Sequence, residues 1–461
     1  MEVDMKSTRS SSLLAVCAAA ALLLSPAGPV SADDPGGNEP LPGYTDGTPQ
    51  LPPLMVDGKP TQVVQGMYRH AAYYLEVPPK WNGELVVWAH GDQGDGTELK
   101  AEPPVGGLRK QFVDEGYAWV ASSFPTTGYN VGPAVTSSHD LAEYAATELL
   151  GHRPSRTYMT GGSMGGHVVA RSLEEYPKYY DGALSLCGQV GARRLYDYFL
   201  DGNLAAQALS GVDAYPAGTD YQTDALPLIK KRLGITDLKP GENPTTVAGR
   251  QYQQMLTELT GGPRPAADAA FGLYADAMLV GGLPTIAGHQ AQNLTTRYEP
   301  TTPVDINPTI ERVAPDDWDE RNSMELNDMP RVLGKPGVPV MSMHTMDDML
   351  VPLSMQQTYT KQVADNGQSD LLVNREIRSA MHCDFSDVEL GKAWKDLTSW
   401  VERREAQGEE TARPAGDDIL DRKQVAALTF GCRFTDPNAP ATPTSDSRKL
   451  FPACPEGDTQ G

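Results

Sequence analysis

The chain has 461 residues and a formal net charge of -22, with 60 Asp and Glu against 38 Lys and Arg. A surface of that sign repels nucleic acid and anionic membranes, so neither is expected as a partner. The length exceeds one minimal core and points to a full domain carrying a sizeable insertion.

Residues 1–32 read as a secretory signal peptide. Lys6 and Arg9 make a positive start, residues 13–24 an apolar run, and Val30-Ser31-Ala32 a small-residue cleavage site. Glu2 and Asp4 fit such a start poorly, which leaves Met5 as an alternative beginning. The apolar run has 12 residues, short of the roughly 20 that span a bilayer. A secreted, extracellular protein with no membrane anchor is expected. Cleavage removes as many acidic as basic residues, so the charge stays at -22.

Residues 33–61, rich in Pro, Gly and Asp, read as an extended arm. From 62 to 190 strand and helix patterns alternate. Strands are expected at 73–77, Glu84–Ala89, Ala118–Ser122, 157–160 and 183–186. Helices are expected at 108–115, 140–150 and Met164–Glu175, the last stopped by Pro177. The run ELVVWA at Glu84–Ala89 is almost unbroken in its apolarity, as a strand buried on both faces requires. The alternation predicts a mostly parallel sheet with helices on both faces.

Gly161-Gly162-Ser163-Met164-Gly165-Gly166 ends one of these strands and opens the next helix. A nucleophile that must project over the end of a sheet sits on a sharp, crowded turn, so its flanks must be small. Ser163 is therefore the candidate nucleophile; the bland alternative is an ordinary tight turn. Acyl transfer also needs donors for the oxyanion. The N–H of Met164 is one, at a helix start whose dipole adds to it. The loop after ELVVWA, His90-Gly91-Asp92-Gln93, supplies the other, because Gly91 lets the backbone come close. Asp92 is expected to donate, and Gln93 to lie next to the substrate.

Residues 191–334 show helical stretches at 193–205 and 249–260, broken by Gly and Pro, and no run like ELVVWA. They predict a mostly helical cap over the nucleophile. Tyr196, Tyr198 and Phe199 near its start are pocket candidates, with helix core as the alternative for each. Residues 335–408 return to the core, with strands at 338–343 and 371–377 and a helix at 384–404 carrying Trp394, Leu397 and Trp400. Asp348 follows the first of these strands and is the candidate acid. Its neighbour Asp347 is a rival, and either also reads as a turn residue or N-cap. His382, between the last strand and the last helix, is the candidate base that activates the serine hydroxyl. The other histidines have structural readings. His90 holds its loop, His167 lies behind the nucleophile, His344 shapes the acid loop, and His70, His139, His152 and His289 lie in arm, loop or insertion segments.

Residues 409–461 form an irregular tail. Loss of Cys17 with the signal leaves four of the five cysteines, an even number that favours disulfides in an exported chain. Cys432 and Cys454 close a short loop in the tail, which leaves Cys187 with Cys383; a free buried thiol is the alternative for each. No CxxC and no zinc-like His/Cys cluster occurs, and neither a metal nor a cofactor is expected.

Elbow, acid, base and His-Gly loop together resemble the α/β-hydrolase superfamily over roughly residues 62–190 and 335–405. The resemblance implies an α/β-hydrolase fold with a helical cap insertion, and hydrolysis of a small-molecule or polymer carboxylic ester through an acyl-enzyme. Gly161-Gly162-Ser163-Met164-Gly165-Gly166 is also similar to the elbow of homoserine acetyltransferases, which implies acyl transfer; prolyl-peptidase-like exopeptidases share the same core. His382-Cys383-Asp384-Phe385, the Trp-bearing helix and Phe430-Gly431-Cys432-Arg433-Phe434-Thr435 resemble exported actinobacterial-type esterases. Where many members have Gly before the histidine, this chain has Met381.

Overall fold

The computed structural model describes residues 37–280, 290–408, 412–439 and 445–455. The expected signal segment 1–32 and His289 lie outside the described residues.

Eight strands build the central sheet: β1 (Gln62–Tyr68), β2 (Ala71–Val77), β3 (Glu84–Ala89), β4 (Ala118–Ser122), β5 (Arg156–Gly162), β6 (Gly182–Leu186), β7 (Val340–Thr345) and β8 (Leu372–Ile377). Their order across the sheet is β1-β2-β4-β3-β5-β6-β7-β8. Strand β2 runs antiparallel to β1 and β4, and the pairs from β4 through β8 are parallel. The central strands are buried end to end, which is why ELVVWA needs no polar alternation.

Alternate side chains of β3 enter two different cores. Leu85, Val87 and Ala89 join the cluster beneath α2 (Val131–Tyr144), α3 (Met164–Glu175) and, further along, α8 (Leu353–Asp365). Val86 and Trp88 join the opposite cluster beneath α1 (Leu108–Asp114) and α9 (Asp387–Gln407). Trp394, Leu397 and Trp400 of α9 are fully buried there, so the expected helical spacing marks a core stripe. A capping box starts α9: Ser386 Oγ accepts the Glu389 N–H (3.2 Å) and Glu389 Oε2 accepts the Ser386 N–H (2.7 Å).

Several expected bounds shift. Strand β1 was not anticipated; it is a half-exposed edge strand, with Gly66 interrupting its apolar pattern. The helix expected at 140–150 begins at Val131 and ends in a π-helical turn, Ala145–Leu149. Pro133 in its first turn reads as a breaker, but a first-turn proline lacks only an N–H that would have no helical partner. The arm is not merely extended: Thr45–Asp46 pairs with Glu98–Leu99, and Met55–Val56 with Lys59–Pro60.

The expected insertion is helical in its first part, up to Val280; among the described residues from 290 to 334 the helix is the short Trp318–Asn322 and the rest is irregular. Helices α4 (Arg194–Ser210), α5 (Leu226–Leu233), α6 (Val247–Leu259) and α7 (Ala267–Tyr274) share a third core, which also takes in Met349, Val351 and Met355 from the returning core. Cys187 is bonded to Cys383 (Cα–Cα 5.2 Å) and Cys432 to Cys454 (5.7 Å), the pairing expected from the sequence.

Candidate active site

At the end of β5 the chain turns sharply into α3, and Ser163 caps that helix with φ 57° and ψ -122°. A non-glycine residue held there is strained. The turn tolerates no bulk. A Cβ on Gly165 would lie 2.1 Å from the Ala89 carbonyl oxygen, one on Gly166 2.2 Å from Gly188 Cα, and one on Gly161 2.6 Å from the Gly165 carbonyl oxygen. The backbone of Ser163 is tied on both sides: its N–H donates to Leu186 O (3.0 Å) and its carbonyl accepts from Gln189 N–H (3.0 Å).

His382 and Asp348 arrive from the ends of later strands. His382 Nδ1–H donates to Asp348 Oδ2 at 2.5 Å, which leaves Nε2 to accept the Ser163 hydroxyl at 2.8 Å. The other oxygen of Asp348 accepts the N–H groups of Leu350 (2.8 Å) and Val351 (3.2 Å). Asp348 is fully buried. Burial pulls the His382 pKa down, but the charge and hydrogen bond of Asp348 outweigh it, and the net shift is upward from 6.5.

The strand order, with a strained serine turn after β5 and carboxylate and imidazole from the loops after β7 and β8, decides the architecture. The chain has the α/β-hydrolase fold.

No protein-family model matches the chain. It is similar to the o-phthalyl amidase of Xanthobacter agilis, at 23% identity over 392 residues, covering 70% of this chain and 83% of that one. Among solved structures it is similar to an esterase from Aspergillus oryzae (14% identity, TM-score 0.44, covering 77% of this chain and 80% of that one). It is also similar to feruloyl esterase B from Aspergillus oryzae (13%, TM-score 0.40, 77% and 81%).

Within the α/β-hydrolase fold, the loop after β3 passes directly beside the serine: a Cβ on Gly91 would lie 3.2 Å from Ser163 Cβ. No described residue accepts the backbone N–H of Met164 or of Asp92. The Asp92 carboxylate instead accepts Gly94 N–H (2.9 Å) and shapes the loop, while Gln93 Nε2 donates to Lys100 O (3.0 Å). His90 is buried, stacked on Phe124 at 4.1 Å, and burial lowers its pKa. A cleft of about 490 Å³ opens from this loop, lined by Gly91, Asp92, Gln93, Glu98, Lys100 and Glu102 among others.

The two aspartates have different partners. Asp347 accepts from Arg264 Nε (2.8 Å), a cation supplied by the insertion, and does not touch His382. His344 is fully buried on β7, neither ring nitrogen has a partner among the described residues, and burial pulls its pKa down to about 4. It is therefore neutral beside Asp348.

Of the two tyrosines expected at the pocket, Tyr198 is buried with its hydroxyl donating to Met349 O (3.0 Å), so it braces the acid loop. Tyr196 packs edge-on against Tyr129 (ring centroids 5.3 Å apart). Tyr129 donates to His167 Nδ1 (3.0 Å), and His167 Nε2–H donates to Pro330 O (2.8 Å). Sequence reasoning missed Tyr129, Arg264 and Tyr274, whose hydroxyl donates to Ala380 O beside the His382 loop (2.5 Å). None of them carries a local motif, and each meets the site only through long-range packing.

Proposed function

We propose that the chain is a secreted serine hydrolase that cleaves carboxylic esters through an acyl-enzyme. The observation that carries this reading is the continuous hydrogen-bonded line from Ser163 through His382 to Asp348. His382 takes the Ser163 proton as the hydroxyl attacks the acyl carbon, and Asp348 keeps the imidazole in the Nδ1–H tautomer and stabilises the cation that forms. The N–H groups of Met164 and Asp92 receive the charge that develops on the carbonyl oxygen, each worth roughly 3 kcal/mol of barrier. His382 then returns the proton to the leaving alcohol, and water attacks the acyl-enzyme by the same route. Export is supported by the signal-like start and by two disulfides, which persist in oxidising compartments.

Amide hydrolysis is a second reading, favoured by the similarity to an o-phthalyl amidase. The first experiment is labelling of the mature protein with a fluorophosphonate probe, followed by turnover of p-nitrophenyl acetate and its anilide. Label is expected on the peptide bearing Ser163, and Ser163→Ala is expected to lower ester turnover by roughly 10³-fold or more. Label elsewhere, or unchanged turnover in Ser163→Ala, refutes the reading.

A further inference from the structure

Helix α7 is the part of the insertion that meets both catalytic loops. Phe271 and Tyr274 share a core with Met349 and Val351 of the acid loop, and Ala270 packs with Met346 and Ala380. At the last residue of α7, the Tyr274 hydroxyl donates to the carbonyl oxygen of Ala380 (2.5 Å), two residues before His382. Tyr274 is 4% exposed and Ala380 is fully buried. No other described group donates to that carbonyl. Burial pushes the Tyr274 pKa well above 10, the charge of Asp348 adds to the rise, and a contact from the His382 N–H offsets part of it. The hydroxyl therefore keeps its proton and remains a donor near neutral pH.

The loop that it holds is strained. Cys383, directly after the base, has φ 58°, a conformation that a residue with a side chain keeps only where its surroundings over-determine it. On that side the bond to Cys187 fixes the loop. On the other side Ser379 is one anchor: its carbonyl accepts Asp347 N–H (3.2 Å) and its hydroxyl accepts Met381 N–H (3.1 Å). Tyr274 is the next anchor, one residue closer to the base. His382 must keep Nδ1 on Asp348 (2.5 Å) and Nε2 on Ser163 (2.8 Å) at once, and a misplacement of about 1 Å can cost on the order of 100-fold in rate. We propose that Tyr274 is a positioning residue for the base: through Ala380 O, its hydroxyl sets where the His382 imidazole stands between Asp348 and Ser163. The insertion then acts on the chemical step as well as on the stability of the fold. The inference rests on the serine-hydrolase reading for its kinetics, and on the Tyr274–Ala380 contact for its geometry.

The test compares Tyr274→Phe with Tyr252→Phe on the full mature chain. Tyr252 is fully buried in the same insertion core and its hydroxyl has no partner among the described residues, so the same deletion there controls for packing. With p-nitrophenyl acetate, Tyr274→Phe is expected to lower kcat by on the order of 10-fold to 100-fold at nearly unchanged KM. The acid limb of kcat/KM should move to lower pH, because an imidazole displaced from Asp348 loses the charge and hydrogen bond that raise its pKa. The low-field proton NMR signal of His382 Nδ1–H, identified by its loss in Asp348→Asn, should shift or broaden. Tyr252→Phe should leave kcat, limb and signal as they are. A folded Tyr274→Phe protein with wild-type kcat, limb and signal overturns the proposal, as does an equal loss in Tyr252→Phe. If Tyr274→Phe fails to fold, a ring-fluorinated tyrosine installed in place of Tyr274 keeps the ring and the hydroxyl and changes its donor strength; an unmoved limb and signal in that protein overturn the proposal. Absence of ester turnover in the wild type, with the NMR signal still moving in Tyr274→Phe, refutes the hydrolase reading and leaves the positioning contact standing.

Discussion

Asp348 accepts the imidazole N–H of His382, while Asp347, one residue earlier, accepts the guanidinium of Arg264. Replacing each by asparagine should therefore fail in a different way. Asp348→Asn removes the charge that fixes the tautomer, and kcat is expected to fall by about 10⁴-fold with the fold retained. The pH dependence gives a second reading of the same contact. The base works only when neutral, so kcat/KM declines as pH falls through the raised His382 pKa, and the acid limb of the wild type lies above 6.5. Without the Asp348 charge that limb moves to lower pH. Asp347→Asn instead leaves Arg264 buried without its counter-ion, a loss of about 3 kcal/mol that appears as a lower urea midpoint. If Asp347→Asn stops turnover in the folded protein while Asp348→Asn does not, the two roles are exchanged.

The elements around the site differ in what they need from the sequence. The strand-turn-helix of β5 and α3 is legible because its sterics demand glycine at 161, 165 and 166, and composition records the demand directly. The loop carrying His382 is held by pieces from far along the chain. Cys383 is bonded to Cys187 at the end of β6, Tyr274 reaches Ala380, and Arg448 from the tail meets both Asp384 (3.2 Å) and Glu389 (2.8 Å). The cysteine pair could be expected from parity and loop length. Tyr274 and Arg448 could not, because a lone Tyr or Arg in an irregular segment leaves no periodic trace. The bridge ties the residue next to His382 to the end of β6, so it is expected to position that loop as well as to staple the chain. It closes a 196-residue separation, for which chain entropy gives about 5 kcal/mol. The double replacement Cys187→Ser with Cys383→Ser is expected to lower both the melting temperature and kcat measured well below melting. A lower melting temperature with kcat intact would reduce the bridge to a staple.

At the scale of the whole molecule, the same chain that holds a charge of -22 also buries carboxyl groups that resist ionisation. Glu376, fully buried on β8, has neither carboxyl oxygen bonded to a described residue; burial first, then Asp417 and Asp347, push its pKa well above 4.5. Burial likewise raises Asp201 in the insertion to about 7. A carboxyl whose pKa is raised by folding keeps its proton in the native state after the unfolded chain has lost its own. Its contribution is complete below the unfolded pKa and is lost as pH rises through the folded one. For Asp201 that window runs from 3.8 to about 7, and for Glu376 it opens at 4.5 and extends upward. These carboxyls therefore favour about pH 5.5 over about pH 8, while the buried imidazoles of His167 and His344, lowered from 6.5 to about 4, take stability away as pH falls below 6.5 and reduce the difference. Surface self-repulsion pushes the same way as the carboxyls, since added protons lower the net negative charge. Salt separates the two causes: it screens exposed charges and leaves buried ones nearly untouched. Melting curves at both pH values in low and high salt should keep most of the difference at high salt. Glu376→Gln, which carries no titrating group at that site, should raise the melting temperature at the higher pH by roughly a few degrees and change it little at the lower. A pH difference that salt abolishes, or one that Glu376→Gln leaves as large as in the wild type, assigns the effect to the surface charge instead.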